Sequence, residues 1–429
     1  MTNGLRPNRT TLKAVLLERW YTSLTGLLPE RGGTRMRQFQ SRQLRALVRH
    51  AYARVPYYRR LFQKVGLRPE HIRGLDDLPR IPLTSRADLQ RCDPCEIVAR
   101  GFDPERLVVH RTGGSSGEPL SVRRTLFEDR LLHAYRLRVL FQLGLRIGDR
   151  RAAVVIQGLA KPPLFSSLGL LRYEEIHCLL PSERILELLR SNRPHILRGY
   201  PATLSWLAGQ MDDADRRDIR PRFITTDSEI LTRDMRERIQ AGFGAPVIDF
   251  YDSHEFNMIA WQRPGTDSYQ VSEASVIAEV LRDGRPVGPG EQGEFVGTAL
   301  HSWAMPCLRF RLGDLVTLGE SPSTLKEIQG RSMDRFVLPG GISLHPYALV
   351  KPLLQCAPWS RQFQLIQERE DRIRVKLVPS AGAHPAPEAV EAVRLILGAQ
   401  LGPRVVVEVD LAECIPPAAN GKFRPYYRA

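Results

Sequence analysis

The sequence predicts an α/β protein: a large N-terminal domain with mainly parallel sheets covered by helices, a β-rich subdomain, and a small α+β C-terminal domain. Between about residues 107 and 251, short apolar runs alternate with segments of helical periodicity, the pattern of a parallel sheet between helices. From residue 269 strand-like runs dominate, and after Gly330 strands and helices mix in a smaller unit. A chain of 429 residues is long enough for two or three domains.

The first 106 residues predict a helical entry region. One helical face is formed by apolar residues that recur at helical spacing: Leu44, Leu47, Val48, Ala51 and Val55. A Pro-punctuated loop follows, and Thr84 or Ser85 is the expected cap of a short helix.

The elements that follow are predicted from period and from capping residues. Strands are expected at 107–110, 152–156, 222–226, 247–251, 276–281 and 294–299, the last two separated by the turn Asp283–Gly284. Helices are expected at 127–143, 183–190 (capped by Ser182), 202–211 and between Thr232 and Gly242. The small unit should contain a strand at 335–338, a helix at 347–355, a hairpin of 362–367 with 372–378, a helix at 387–401 and a strand at 405–409.

The charge balance is unusual. The chain carries 62 basic and 47 acidic residues, a net charge of +15, and 55 of the basic residues are Arg. This surplus favours polyanionic partners such as nucleotides or an acidic carrier domain. Coding bias is the ordinary explanation of so many Arg, and they are scattered without a long basic run. A dedicated nucleic-acid binder is therefore disfavoured.

Six Cys are too few for a secreted disulfide framework. Cys92 and Cys95 form a C-x-x-C pair, but no second pair follows at zinc-ribbon spacing, and their role stays open. No apolar stretch reaches the ~18 residues of a membrane span, and the N-terminus leads into no long apolar region. We expect a soluble, cytoplasmic protein.

A glycine-rich run directly after a predicted strand is the sharpest local motif. It consists of Thr112, Gly113, Gly114, Ser115, Ser116 and Gly117. Glycines allow a phosphate to approach the backbone, and hydroxyls with free amides supply donors. The run is not a Walker A loop, because Glu118 and Pro119 stand where Lys and Ser/Thr are required. A flexible surface turn is the alternative.

Four further clusters follow along the chain: 251–255 after a strand, 309–314, 330–334 and 420–425. Each alone is more often a solvated turn or a structural ion pair than a site. In this order and spacing, however, the five motifs resemble the adenylate-forming superfamily. The closest resemblance is to its branch of phenylacetate-CoA ligases and capsule-biosynthesis-type adenylate-forming proteins. Segments 50–58, with its Val-Pro-Tyr-Tyr core, and 75–84 are also typical of that branch.

The resemblance implies a role for each motif. The run 112–117 would order the β- and γ-phosphates of ATP, and Lys422 would stabilise charge on the α-phosphate. Glu255 would hold Mg²⁺, Tyr251 would stack on adenine, and Asp314 would bind the ribose. The other implied ATP- or AMP-binding residues are Asp227, Ser228, Glu229, Asp252, Ser253 and Arg331.

The resemblance also implies two domains: an ATP- and acid-binding domain of residues 1–329, and a mobile cap of residues 330–429 that carries Lys422. Candidates for the acid pocket are Tyr200, Pro201, Phe250, His254 and Asn257. Three positions depart from the family pattern. Asp227 and Asp252 stand where Gly is usual, and the hinge around Met333 and Asp334 has its carboxylate displaced by one residue.

The function expected from this resemblance is ATP-dependent activation of a carboxylic acid, aromatic or a small specialised-metabolite acid. The acyl-adenylate would then react with a thiol, either CoA or the phosphopantetheine of a carrier protein, with ATP and Mg²⁺ as cofactors. A homodimer is one option for its oligomeric state. The alternative is a non-catalytic protein of this fold that binds nucleic acid or a partner through its basic surface. A P-loop kinase ranks third, because the loop Lys is missing.

Overall fold

The computed structural model describes residues 32–111, 120–155, 172–178, 180–331, 336–344, 346–380, 382–416 and 425–429. The chain divides into two compact units. The larger contains residues up to 312 together with 316–328, and the smaller contains 313–315 together with 329–429. Nowhere in the described ranges is there a helix with the length and apolarity that a bilayer crossing requires.

The described chain begins with α1 (Gly33–Arg54) and α2 (Pro56–Lys64). The predicted apolar face of α1 is fully buried, in a cluster with Tyr58 and Phe62 of α2. Pro56 stands at the first position of α2, where its missing N–H costs nothing. The Tyr58 hydroxyl donates to the carbonyl of Pro306 and accepts from the N–H of Leu308, both at 3.0 Å. The Val-Pro-Tyr-Tyr segment thus holds the entry helices against the β-rich part.

A thirteen-stranded sheet dominates the larger unit. Its first strands are β1 (Thr84–Ser85), β4 (Arg150–Val155), β5 (Arg172–His177), β6 (Ile196–Gly199), β7 (Phe223–Thr226), β8 (Val247–Ser253) and β9 (Asn257–Gln262). Its remaining strands are β10 (Tyr269–Val271), β11 (Val276–Arg282), β12 (Arg285–Pro286), β13 (Gln292–Ala299), β14 (Phe310–Leu318) and β15 (Thr324–Arg331). The order is β12-β11-β13-β14-β15-β10-β9-β8-β7-β6-β4-β5, with β1 beside β14. A separate hairpin joins β2 (Val108–Arg111) to β3 (Ser121–Arg124).

Strands β5, β4, β6, β7 and β8 are parallel, and β9 turns back antiparallel to β8. Parallel strands place their carboxyl ends at one edge of the sheet, where open α/β sheets bind ligands. Residues that follow β7 and that end β8 therefore meet at that edge.

Helices cover both faces of the parallel section. The helices of the larger unit after α2 are α3 (Arg86–Gln90), α4 (Pro94–Ile97), α5 (Leu126–Gln142), α6 (Ser182–Asn192), α7 (Pro201–Gln210), α8 (Asp213–Asp218) and α9 (Arg233–Phe243). One apolar core joins α6, α7 and α9 to the strands, and another joins α5 to the opposite face. Helices α7 and α9 approach closely at Gly242, which has no Cβ. A Cβ at this position would lie only 2.6 Å from the Cβ of Ala208.

The smaller unit is α+β. Its elements are β16 (Phe336–Leu338), β17 (Ile342–Leu344), α10 (Tyr347–Cys356), β18 (Ser360–Arg369), β19 (Arg372–Pro379), α11 (Pro387–Leu401), β20 (Val406–Leu411) and β21 (Tyr426–Arg428). Its four-stranded sheet has the order β20-β19-β18-β21, and β16 pairs with β17.

The predicted fold class is confirmed, and the differences have local causes. The sequence pattern missed β5 because this edge strand is largely charged and exposed, as at Arg172 and Glu174. It missed β6 because this strand is only four residues long and lies just before helix α7. Helix α9 ends at Phe243, one residue beyond the predicted Gly242, and Gly244 caps it with φ 63°. Ser182 is the first residue of α6, not its cap, which is Pro181.

Candidate active site

Glu255 lies in the tight connection between β8 and β9 and is almost completely buried. The Arg86 guanidinium, at the start of α3, lies 3.3 Å from its carboxylate. Ser85 caps α3 and thereby fixes the position of Arg86. The connection is anchored by Phe256, which packs against Phe295 and Phe310.

The environment of Glu255 is compatible with a magnesium ligand. Among the residues described, no three or more His, Cys, Asp or Glu side chains gather as a metal site. Mg²⁺ is commonly held by one or two carboxylates, with substrate phosphates and water supplying the other ligands. A single buried carboxylate at the ligand-binding edge of the sheet suits that arrangement.

Two histidines stack beside this connection. The rings of His254 and His110 lie 6.0 Å apart at 21°, and His110 Nε2 is 2.7 Å from Asp129 Oδ1. Partial burial raises the pKa of Asp129, but the hydrogen bond with His110 and the charges of His110, Arg124 and His133 together lower that pKa below its usual value. Arg124, buried beneath them, donates to the His254 carbonyl. The order of motifs along the chain gave no sign of His110 and Asp129.

Asp227 and Asp252, the two positions where the resemblance leads one to expect Gly, are joined through one arginine. Arg136 of α5 donates from its two terminal nitrogens to Asp252 and to Asp227, each at 2.7 Å. Arg198 of β6 donates to both oxygens of Asp227, at 2.6 and 3.1 Å. The Ser228 hydroxyl adds a third donor to Asp227 at 3.0 Å.

The electrostatics of the two aspartates differ. Full burial would raise the pKa of Asp227, but the guanidinium groups of Arg198 and Arg136 hold that pKa far below the usual value. Burial and the neighbouring Asp227 raise the pKa of Asp252, and Arg136 opposes them only in part. Asp227 is therefore the fixed anion of the cluster.

The segment after Asp227 turns sharply. Ser228 has φ 71°, a left-handed conformation that is uncommon for residues other than Gly. Glu229 accepts a hydrogen bond of 3.2 Å from the Ala202 N–H in the first turn of α7. Helix N-termini favour such carboxylates, so Glu229 ties the predicted adenine-side segment to α7.

Tyr251, the expected adenine-stacking residue, lies in β8 and is only 7% exposed. Its ring contacts Phe295 edge-on, with 5.6 Å between centroids. The pairing of β8 with β9 contains an irregularity between Tyr251 and Asp252. Such bulges re-aim side chains next to functional sites.

The acid-pocket candidates occupy structural positions around this edge. Tyr200 is buried at the cap of α7, and Pro201 is the first residue of that helix. Phe250 is buried beneath the Arg136 guanidinium, 5.0 Å from its ring centroid. Asn257 has φ 62°, and its side-chain oxygen accepts from the Met258 N–H at 2.8 Å. Their role in acid binding stays a prediction.

The remaining predicted residues fall in two groups. Asp314 lies half-buried in β14, and Arg331 ends β15. Outside the described residues lie Thr112, Gly113, Gly114, Ser115, Ser116, Gly117, Met333, Asp334 and Lys422.

Other motif residues have structural partners. Arg311 is paired with Glu294 at 2.6 Å. Arg309 is buried and binds Glu279 through two hydrogen bonds of 2.9 and 2.8 Å. Cys92 and Cys95 are free thiols, and Cys92 donates to the Asp88 carbonyl.

Comparison with known proteins agrees with the predicted fold and resemblance. No protein-family model matches the chain. The sequence is 28% identical over 363 residues to a phenylacetate-coenzyme A ligase of Thermus thermophilus, covering 78% of this chain and 79% of that protein. It is 26% identical over 412 residues to a phenylacetate-coenzyme A ligase of Aromatoleum evansii, covering 89% of this chain and 90% of that protein.

Solved structures share the fold. A 2-hydroxyisobutyryl-CoA ligase in the postadenylation state matches with a TM-score of 0.73 at 20% identity, covering 100% of this chain and 94% of that one. An anthranilate CoA ligase in complex with anthranoyl-AMP matches with a TM-score of 0.58 at 16% identity, covering 89% and 79%. The resemblance predicted from the motifs is thus confirmed: the chain has the fold of adenylate-forming CoA ligases and is similar in sequence to phenylacetate-CoA ligases, which supports an acid–thiol ligase.

Proposed function

We propose that this protein uses ATP to convert a carboxylic acid into an acyl-adenylate, with release of pyrophosphate, and then transfers the acyl group to a thiol. The observation that carries this proposal is the convergence of Tyr251, Glu255 and the segment 227–229 at the carboxyl edge of the parallel strands. The similarity to phenylacetate-CoA ligases over most of the chain supports it.

The chemistry explains why these residue types are needed. A carboxylic acid does not transfer its acyl group directly, because hydroxide is a poor leaving group. Attack of the carboxylate oxygen on the α-phosphorus forms a mixed anhydride and breaks the bond to pyrophosphate. The attack brings two anions together, so positive charge must be positioned around the α-phosphate.

The roles that we propose follow from the order of the motifs along the chain and from the resemblance that they carry. Tyr251 would bind the adenine, Asp314 the ribose hydroxyls, and Arg331 the ribose or phosphates. Glu255 would hold Mg²⁺, which neutralises phosphate charge when bound. Lys422 would donate to the oxygens of the α-phosphate as negative charge develops there.

The identities of the acid and of the thiol acceptor make the proposed reaction more specific. We propose an aromatic or small specialised-metabolite acid, with His254 and Asn257 near its carboxylate end and Tyr200, Pro201 and Phe250 shaping the rest of the pocket. CoA is the acceptor that the relatives' names favour. The phosphopantetheine of a carrier protein presents the same thiol and is tested beside it.

Exchange of radioactive pyrophosphate into ATP tests the first half-reaction across a panel of carboxylic acids. We expect exchange that depends on one class of acid, and Lys422→Ala should lower it by at least about 100-fold because the developing charge loses its donor. Binding of α,β-methylene-ATP, measured by calorimetry, should change far less. Exchange that survives the substitution unaltered would show that Lys422 has another role.

The second half-reaction needs its own measurement. Intact-mass detection of the acylated thiol, with CoA and carrier proteins offered separately, identifies the acceptor. Lack of exchange with every acid, together with salt-sensitive DNA binding, would instead favour the non-catalytic alternative.

A further inference from the structure

The four-residue cluster of Arg136, Arg198, Asp227 and Asp252 joins four elements at the carboxyl edge of the parallel strands. Arg136 belongs to α5 and Arg198 to β6, while Asp227 follows β7 and Asp252 lies in β8. The side chains of Arg136, Asp227 and Asp252 are 15%, 0% and 16% exposed. The cluster is therefore a largely desolvated ionic network within the larger unit.

The charges of the network are balanced, and its hydrogen bonds fix the direction of each side chain. Two guanidinium groups face two carboxylates, and the hydrogen bonds between them are charge-assisted and 2.6 to 3.1 Å long. Such buried networks give little net stability compared with apolar packing, since the desolvation of each charge opposes the attraction. Their better-attested effect is to select one geometry.

The geometry selected here is the spacing between the two sides of the proposed nucleotide site. Asp227 begins the adenine-side segment, whose Ser228 is held at φ 71°. Asp252 directly follows Tyr251 and precedes by three residues the buried Glu255. Arg136 is the residue that binds both aspartates, and Arg198 fixes Asp227 from the other side.

We propose that Arg136 is a positioning residue that sets the distance between the segment 227–229 and the strand carrying Tyr251 and Glu255, with Arg198 holding Asp227 in place. The proposal builds on the function proposed above. Glycine at positions 227 and 252 would offer Arg136 no carboxylate to bind. The proposed positioning therefore needs both aspartates and the arginine. A displacement of about 1 Å at such a site is enough to change rates by about 100-fold.

Arg136→Lys tests the proposal, because lysine keeps the positive charge but not the two-pronged geometry. We expect the dissociation constant of α,β-methylene-ATP and the KM for ATP to rise about tenfold or more. The KM for the acid should move much less, and the urea midpoint should fall only modestly. Asp252→Asn keeps the size and shape of the side chain but removes its charge, and it should change the same affinities in the same direction.

Arg222→Lys is the matched control. Arg222 also binds a buried aspartate, Asp149, through two nitrogens, but its own side chain is 33% exposed and the pair lies at the amino end of the strands. It should lose similar stability without a change in nucleotide affinity. If Arg136→Lys alters the affinity for α,β-methylene-ATP no more than Arg222→Lys does, the positioning role is wrong.

The two proposals fail in different ways. Absence of acid-dependent exchange in the wild-type protein would overturn the proposed function, while nucleotide affinity would still report on positioning. If Arg136→Lys does not fold, Asp252→Asn is compared with Asp149→Asn by the same binding measurement. Equal affinities in that pair would overturn the positioning role.

Discussion

The pKa of Asp249 in β8 is determined by the residues around it in space rather than by its neighbours in sequence. It is buried, accepts from the Thr226 hydroxyl at 2.6 Å and accepts from the Tyr269 hydroxyl at 2.7 Å. Burial raises the pKa of Asp249 to about 7, although both hydrogen bonds oppose the change. The charge of Arg236 opposes the rise only in part, whereas Asp227 is hydrogen-bonded to two guanidinium groups.

The raised pKa predicts a pH dependence of stability. Between about 4 and about 7 the folded protein keeps a proton on Asp249 that the unfolded chain has released. Stability contributed by this group is therefore lost as the pH rises through that range. We expect the wild-type protein to lose about 2 kcal/mol of unfolding free energy from this residue between pH 5 and pH 8.

Asp249→Asn isolates this contribution, because asparagine does not titrate. Urea unfolding at pH 5, 6.5 and 8 should give a shallower decline for Asp249→Asn than for the wild-type protein. Parallel pH profiles of the two proteins would contradict the assignment, whatever their absolute stabilities.

At the scale of elements, the connection between β8 and β9 depends on a glycine in a distant strand. Phe256 follows Glu255 directly and is 1% exposed. A Cβ on Gly297 of β13 would lie 2.6 Å from the Phe256 ring. Gly297 thus leaves space for the Phe256 ring, and the packing of Phe256 holds the connection that carries Glu255.

Gly297→Ala is therefore expected to force Phe256 out of its position. Overpacking of this kind costs about 1–3 kcal/mol, and the proposed exchange activity should fall because Glu255 shifts with the connection. Thermal or urea unfolding measures the first effect, and pyrophosphate exchange the second.

Gly209→Ala is the control for that substitution. A Cβ on Gly209, inside α7, meets no atom within 4 Å. Alanine is favoured over glycine in a helix by about 1 kcal/mol, so this variant should be slightly stabilised. If both variants behaved alike, the contact between Gly297 and Phe256 would not be the cause.

A second link between elements explains part of the 309–314 motif. Arg309 has φ 42° and donates to the carbonyls of Pro79 and Ile81 at 3.0 and 2.7 Å. It holds the Pro-punctuated loop against the beginning of β14. The motif therefore combines this structural anchor with Asp314, the proposed ribose ligand.

At the scale of the whole molecule, a net charge of +15 remains after every acidic residue is counted against a basic one. Many arginines pair with carboxylates, as Arg374 does with Glu368, Glu408 and Asp410. With 62 basic and 47 acidic residues, ion pairing within the chain still leaves an excess of positive charge. Such a surface attracts an acidic partner over distances near the Debye length of about 10 Å.

If the acceptor is an acidic carrier protein, its encounter with this surface should depend on salt. We expect kcat/KM for acyl transfer to the carrier to fall about tenfold between 50 and 300 mM salt, since steering is screened. Transfer to pantetheine, an uncharged thiol, is the control and should change little. Equal salt dependence for the two thiols would count against a basic docking face.

The sequence by itself determined the fold class, most of the helices, part of the strands, the order of the motifs and the position of Glu255 after a strand. These features are local: period, caps and turns act within a few residues. Only the tertiary structure decided what binds the key carboxylates. Arg136 is 91 residues from Asp227 and 116 from Asp252, and Arg86 is 169 from Glu255. Because ionic partners are set by distance in space, no pattern along the chain reveals that Asp227 and Asp252 share one helix arginine.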